Sequence, residues 1–315
     1  MSATNAVSRR TLPPRLSKTK AVEWKGSMRL PAADRLELLI AVTCLAAILG
    51  MTGCDRETTS PPAPQVAPAQ QVVGSGSMSA ADYLNHGCKY LEKGQHDKAI
   101  ADFTTAIRLD PRLLKAYMDR AGAYAAQDHL DLAVADYSSV IQLAPQDPLA
   151  RWAVYMRAQM YSLQGEHDKA IADYTEMVRL DPRDPVSLCN RGDAYAAKKD
   201  FNKALADFTE AIRVEPNDHT GYNSLAWLWA TCAEAKFRDG KKAVEYATKA
   251  CELTSWADAS QFDTLAAAYA DIGRFEEAVK WEKKAIESPN YPKEELQEAR
   301  LRLKLYEEGK PFRDE

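Results

Sequence analysis

The sequence predicts an all-α protein, a solenoid of about six helix–turn–helix repeats closed by a C-terminal capping helix. Three observations predict it. An alanine recurs at Ala99, Ala133, Ala170, Ala204, Ala243 and Ala278, at spacings of 34, 37, 34, 39 and 35. A second small residue recurs at Gly87, Ala121, Ala158, Gly192, Ala226 and Ala266; three places after each stands an aromatic, Tyr90, Tyr124, Tyr161, Tyr195, Trp229 and Tyr269. Between these marks the apolar residues fall three and four apart, which is the period of a helix.

The head of the chain is of another kind. Residues 1–37 carry a net charge of +5, and the remainder carries −9. Leu38 to Gly53 has no charged residue. Sixteen residues is short for a membrane-spanning helix, which needs about 20. A basic stretch ahead of a short apolar run reads as a secretory signal. The run ends in Met51-Thr52-Gly53-Cys54. Those residues resemble the lipobox of bacterial lipoproteins, with Met51 where that motif usually has Leu. The resemblance implies that Cys54 is lipidated and becomes the mature N-terminus, holding the protein on the extracytoplasmic side of the envelope. An uncleaved signal anchor and simple secretion are the alternatives. Met28 opens a signal of ordinary length, so residues 1–27 are either a misplaced start or a cytoplasmic tail.

Residues 55–79 hold four prolines and the run Gly74-Ser75-Gly76-Ser77, with few large apolar residues. Such a segment cannot offset its ordering entropy and is expected to be a disordered linker. Fully extended, it reaches roughly 75 Å.

Repeats are expected at about 80–113, 114–147, 151–184, 185–218, 219–258 and 259–292, followed by the capping helix to 309 and a tail over 310–315. In the second helix of the first four, an aromatic stands four places after the alanine, at Phe103, Tyr137, Tyr174 and Phe208; the last two depart, with Ala247 and Glu282. Pro111, Pro145, Pro182 and Pro216 end those four helices, because proline cannot donate the next hydrogen bond. Asp97, Asp131, Asp168 and Asn202 are placed to cap the second helices. Extra residues at 146–150 are absorbed by an earlier helix start near Pro148. The extra residues of 231–240 make either a longer helix or a bulged loop carrying Phe237. Leu296, Ala299, Leu303 and Tyr306 give the last helix one apolar face, as a solenoid's end requires.

A period of 34 with these small and aromatic places resembles the tetratricopeptide repeat (TPR) over about 80–292. The resemblance implies a non-catalytic, protein- or peptide-binding scaffold whose first helices line a groove. Carried over place by place, the groove falls on Met118, Asp119, Trp152, Tyr155, Met156, Gln159, Asn190, Asp193, Asn223 and Trp227. Trp152, Tyr155 and Met156 are large and apolar beside four polar side chains, which suits a peptide seat. The alternative buries Trp152 in the core. Leu84 and Cys88 stand where chaperone-tail receptors carry Lys and Asn, so that ligand class is not expected.

No chemistry is expected. The chain has no phosphate-binding glycine loop, zinc-protease motif or nucleophile elbow. His96, His129 and His167 fall in turns too far apart to share a metal. Cys88, Cys189, Cys232 and Cys251 form no Cys-x-x-Cys; Cys232 and Cys251 read as core residues. No catalytic residue, metal, cofactor or small-molecule substrate is assigned. Net acidity argues against nucleic acid. The partners expected are a protein or peptide and, through the anchor, a membrane. An accessory subunit docking through its convex face or the Trp229–Trp256 region is the second reading.

Overall fold

The computed structural model describes residues 78–293 and 295–314. The apolar run, Cys54 and nearly all of the linker lie outside them. Among the described residues there are thirteen α-helices and no strand. They run as six pairs: α1 (Ala80–Leu91) with α2 (His96–Leu109), α3 (Leu114–Ala126) with α4 (Leu130–Leu143), α5 (Pro148–Leu163) with α6 (His167–Leu180), α7 (Pro185–Ala197) with α8 (Phe201–Val214), α9 (His219–Thr231) with α10 (Gly240–Leu253), and α11 (Ala259–Asp271) with α12 (Phe275–Ile286). The last helix, α13 (Leu296–Glu307), packs on α12.

Short polar side chains start five of the six first helices; α3 follows Leu113 without a side-chain cap. Ser79 and Asp82 form a reciprocal capping box ahead of α1. Asp147, Asp184, Asp218 and Asp258 each accept from the backbone N–H two residues on, at 2.7–3.1 Å. Each satisfies a donor the helix cannot. Pro148 and Pro185 follow at the first helical place, where no N–H is needed.

The second helices of the first four pairs start differently, which corrects the expected caps. Asp97, Asp131, Asp168 and Asn202 are the second residues inside α2, α4, α6 and α8. The capping places belong to Gln95, His129, Glu166 and Asp200, none of which makes a side-chain cap. The turn is the cause. Gly94, Asp128, Gly165 and Lys199 have φ between 60° and 73°. This left-handed residue delivers the chain to the helix without the extended stretch that a side-chain cap uses. The first three carboxylates reach the next repeat instead. Gln127 donates to Asp97 and Gln164 to Asp131, both at 2.7 Å, and Lys198 pairs with Asp168.

Within pairs, small residues meet large ones. A Cβ added at Gly87 would sit 2.5 Å from the Phe103 ring, and one at Gly192 would sit 2.5 Å from the Phe208 ring. Tyr137 and Tyr174 share a buried core with Ala121 and Ala158. Arg120–Asp136, Arg157–Asp173 and Arg191–Asp207 tie the two helices of their pairs through twin bonds at 2.7–2.8 Å. Planar guanidinium on carboxylate fixes orientation as well as distance.

The two irregular repeats resolve simply. α5 starts at Pro148 and is 16 residues long, so the insertion lengthens the helix. In the fifth pair the extra residues form a loop with one 3-10 turn, Ala235–Phe237, and the Phe237 ring rests 5.2 Å from that of Phe201.

α13 closes the array around a buried ion cluster. Arg302 donates to Asp263 at 2.9 and 3.0 Å, to Glu282 at 3.3 Å and to the Tyr291 hydroxyl at 3.0 Å. Glu282 stands where the first four pairs have Phe or Tyr. Its burial and the charge of Asp263 push its pKa well above 4.5, against the pull of Arg302. The fold therefore favours the neutral acid. That stability is present in full below pH 4.5 and is lost as pH rises through the folded value. Glu282→Gln keeps a neutral group of the same shape. Its melting temperature is expected to gain on the parent's steadily between pH 5 and pH 8 in differential scanning fluorimetry. A constant difference would show that the carboxyl is ionised throughout.

Candidate functional site

The first helices line one face of the array, and between α5, α7 and α9 that face holds a cavity of about 480 Å³. Tyr155 is its hub. The hydroxyl accepts from Gln159 Nε2 at 3.0 Å and from Asn190 Nδ2 at 3.3 Å. Trp152 stacks on the ring with 5.4 Å between centroids, and Tyr174 meets it edge-on at 6.3 Å. Gln159, Asn190, Asp193 and Trp227 line the cavity, over Tyr174, Phe201 and Phe208.

Beyond Trp227 lies a smaller cavity of about 120 Å³, bordered by Asn223, Asp263 and Arg302. The chain's own tail lies at their shared border, with Ser224 and Trp227. Phe312 borders the smaller one, and Asp314 borders both. Asp314 N–H donates to the Thr231 carbonyl at 2.9 Å, and the Trp227 indole N–H donates to the Asp314 carboxylate at 3.3 Å. The Phe312 ring is 6.1 Å from that of Trp227. Arg313 donates to Asp271 at 2.7 Å and to the Ala230 carbonyl at 3.0 Å.

Family models described as tetratricopeptide repeat match residues 84–148, 153–184, 185–218 and 259–288, together about half of the chain. The chain is a TPR protein. The matched stretches leave the long loop of the fifth pair between them. Over 61 residues this TPR protein is 38% identical to the rat mitochondrial import receptor subunit TOM34, a match spanning 19% of the chain and 20% of that relative. Solved structures share its fold. A tetratricopeptide repeat protein from Parabacteroides merdae superposes with a TM-score of 0.54 at 16% identity, over 88% of this chain and 99% of that one. PilW, a type IV pilus biogenesis factor, superposes at 0.53 and 17% identity, over 70% and 97%.

The TPR array brings together four of the ten groove residues expected from sequence. Gln159, Asn190, Asp193 and Trp227 meet at the larger cavity; Tyr155 is buried in the central core, with Trp152 stacked on it and half-buried. Asn223 lies on the smaller cavity. Met118 and Met156 do not reach the groove; both are buried in the central core. Tyr155 shares that core, and its hydroxyl is what reaches the lining amides of Gln159 and Asn190. Asp119 is buried and engaged, accepting from Lys115 Nζ at 3.1 Å and from the Cys88 thiol at 3.4 Å. Burial raises its pKa, partly offset by Lys115. Cys189 is also core, and burial pushes its thiol well up. Of the three turn histidines, only His129 precedes its helix; His96 and His167 open theirs, half-buried. Among the described residues no three His, Cys, Asp or Glu side chains are grouped to hold a metal.

Sequence reasoning treated residues 310–315 as a plain tail. Phe312, an aromatic among charged residues, was the available signal. Thr231 and Arg302 carried none, because their roles depend on partners far away in sequence.

Proposed function

We propose that this TPR protein is a non-catalytic scaffold that holds an extended peptide or protein segment along α5, α7 and α9, tethered on the extracytoplasmic side of a bacterial envelope. One observation carries the binding reading: Gln159, Asn190, Asp193 and Trp227 line a single cavity, the two amides held by the buried Tyr155 hydroxyl. Side-chain amides match a peptide backbone, and flat aromatic walls supply contact area at small entropic cost. The basic head, the apolar run and Cys54 support the tether.

The test uses the full chain with Gln159→Ala and Asn190→Ala together. Both side chains are half-buried, so the fold should survive, whereas Tyr155 is packed against Tyr174. Each lost hydrogen bond is worth about 1 kcal/mol, so affinity for a captured partner should fall about tenfold or more. Unchanged capture would move docking to the convex side. Metabolic labelling with a fatty acid tests the tether, and label retained in Cys54→Ala would refute it. One observation favours the convex reading as second choice. Trp256 is exposed and stacked on Trp281 at 5.1 Å, beside the Lys284 ammonium.

A further inference from the structure

Five of the six first helices end alike. The residue after a left-handed turn returns its N–H to a tyrosine carbonyl: Gln95 to Tyr90, His129 to Tyr124, Glu166 to Tyr161, Asp200 to Tyr195 and Arg274 to Tyr269. This closes the helix on itself, as a helix C-terminus requires.

α9 does not close that way. Cys232 leaves the helix in an extended conformation, with φ −52° and ψ 129°. The long loop supplies distant partners for some of the carbonyls. Asp239 N–H serves Trp229, and the Arg238 guanidinium serves Cys232 and Ala233. Two carbonyls remain, on the buried residues Ala230 and Thr231. Both are filled by the tail, one by Arg313 and one by the Asp314 N–H. The contact at Thr231 is strand-like, an isolated parallel bridge between Cys232 and Asp314. Side chains add to it: Phe312 by Trp227, and Asp314 on the indole N–H.

We propose that Phe312-Arg313-Asp314 is a resident ligand of the groove, and that the partner is an extended segment of the same chemistry, an aromatic residue followed by a basic and an acidic one, which displaces it. The proposal rests on the groove reading above and gives it a ligand class. The course of the tail supports it. The path runs from Phe312 on the smaller cavity to Asp314 on the border of the larger. A longer ligand following that path would place its next residues among Asp193, Asn190 and Gln159. The tail is joined to α13 by only a few residues, around Gly309 and Pro311. Its effective concentration at Trp227 is therefore on the order of millimolar, and a partner must outcompete it.

The probe is the synthetic peptide Lys-Pro-Phe-Arg-Asp-Glu carrying a fluorophore, read by anisotropy against the full chain. A variant with Phe312→Ala and Asp314→Ala frees the groove. The peptide is expected to bind it at least about tenfold more tightly than it binds the parent. Adding Trp227→Ala should abolish that gain, and a peptide with alanine for Phe and Asp should not bind. Equal binding to parent and variant, or no binding to a variant with a parent-like circular dichroism spectrum, overturns the proposal. Should the variant fail to fold, hydrogen exchange on the parent decides. Saturating peptide must speed exchange of the Asp314 amide, and an unchanged rate overturns the proposal. The two readings fail separately. A partner lost by the Gln159/Asn190 variant but indifferent to competing peptide leaves the groove standing without this ligand class. Peptide binding with no groove-dependent partner does the reverse.

Discussion

Arg302→Met is expected to destabilise the C-terminal end of the array by about 3–5 kcal/mol. Arg302 is 4% exposed, and its guanidinium faces two buried carboxyls, Asp263 and Glu282. Methionine replaces the stem but none of the hydrogen bonds. Both carboxyls would then lie in the interior without their cation, where an isolated charge is far more costly than a neutral acid. Urea unfolding followed by tryptophan fluorescence gives the size of the loss. Trp227 lies 5.5 Å from the guanidinium, so the signal comes from the right place. The defect should be smaller at pH 5 than at pH 8, since protonation of Glu282, whose pKa burial already raises, removes its buried charge. Replacing Asp263 and Glu282 by leucine alongside Arg302→Met should recover much of it. A loss below about 1 kcal/mol would mean that water enters and takes over the bonds of Arg302.

Phe208→Ala is expected to remove about 3–5 kcal/mol. The ring is fully buried on Gly192, which has no Cβ to fill the space left behind. The position matters as much as the size. Phe208 sits in the fourth of six pairs, and a stacked array is coupled only through neighbours. A weak fourth pair should uncouple the three before it from the two after it. Calorimetry should therefore show two melting transitions in place of one. A single transition moved to lower temperature would mean that the fourth pair's neighbours still hold the array together.

The fold was legible in the sequence because its rules are local and repeated. A small residue, an aromatic three places on and a proline after the second helix are each set by helix geometry, and copies in phase remove ambiguity. The lining of the larger cavity was legible in part for the same reason. Counting along first helices found Gln159, Asn190, Asp193 and Trp227, whose places recur from repeat to repeat. It failed at Met118 and Met156, where the count says which side a residue is on but not how closely the next helix covers it. It failed at Asp97, Asp131 and Asp168 because a left-handed turn, not a cap, begins those helices. The tail was illegible for a deeper reason. Phe312 and Asp314 meet Trp227 across more than 80 residues, and no period relates them.

The polar contacts from Asp97 to Gln127, Asp131 to Gln164 and Asp168 to Lys198 give the array a mechanical grain. They all lie on the edge where paired helices turn, exposed to solvent. Water can replace such bonds at little net loss, whereas the aromatic and alanine seams inside the pairs have no substitute. A pull along the array should therefore open that edge first and leave the pairs whole. The protein would stretch like a hinged strap, with its bending line fixed by three side-chain rungs.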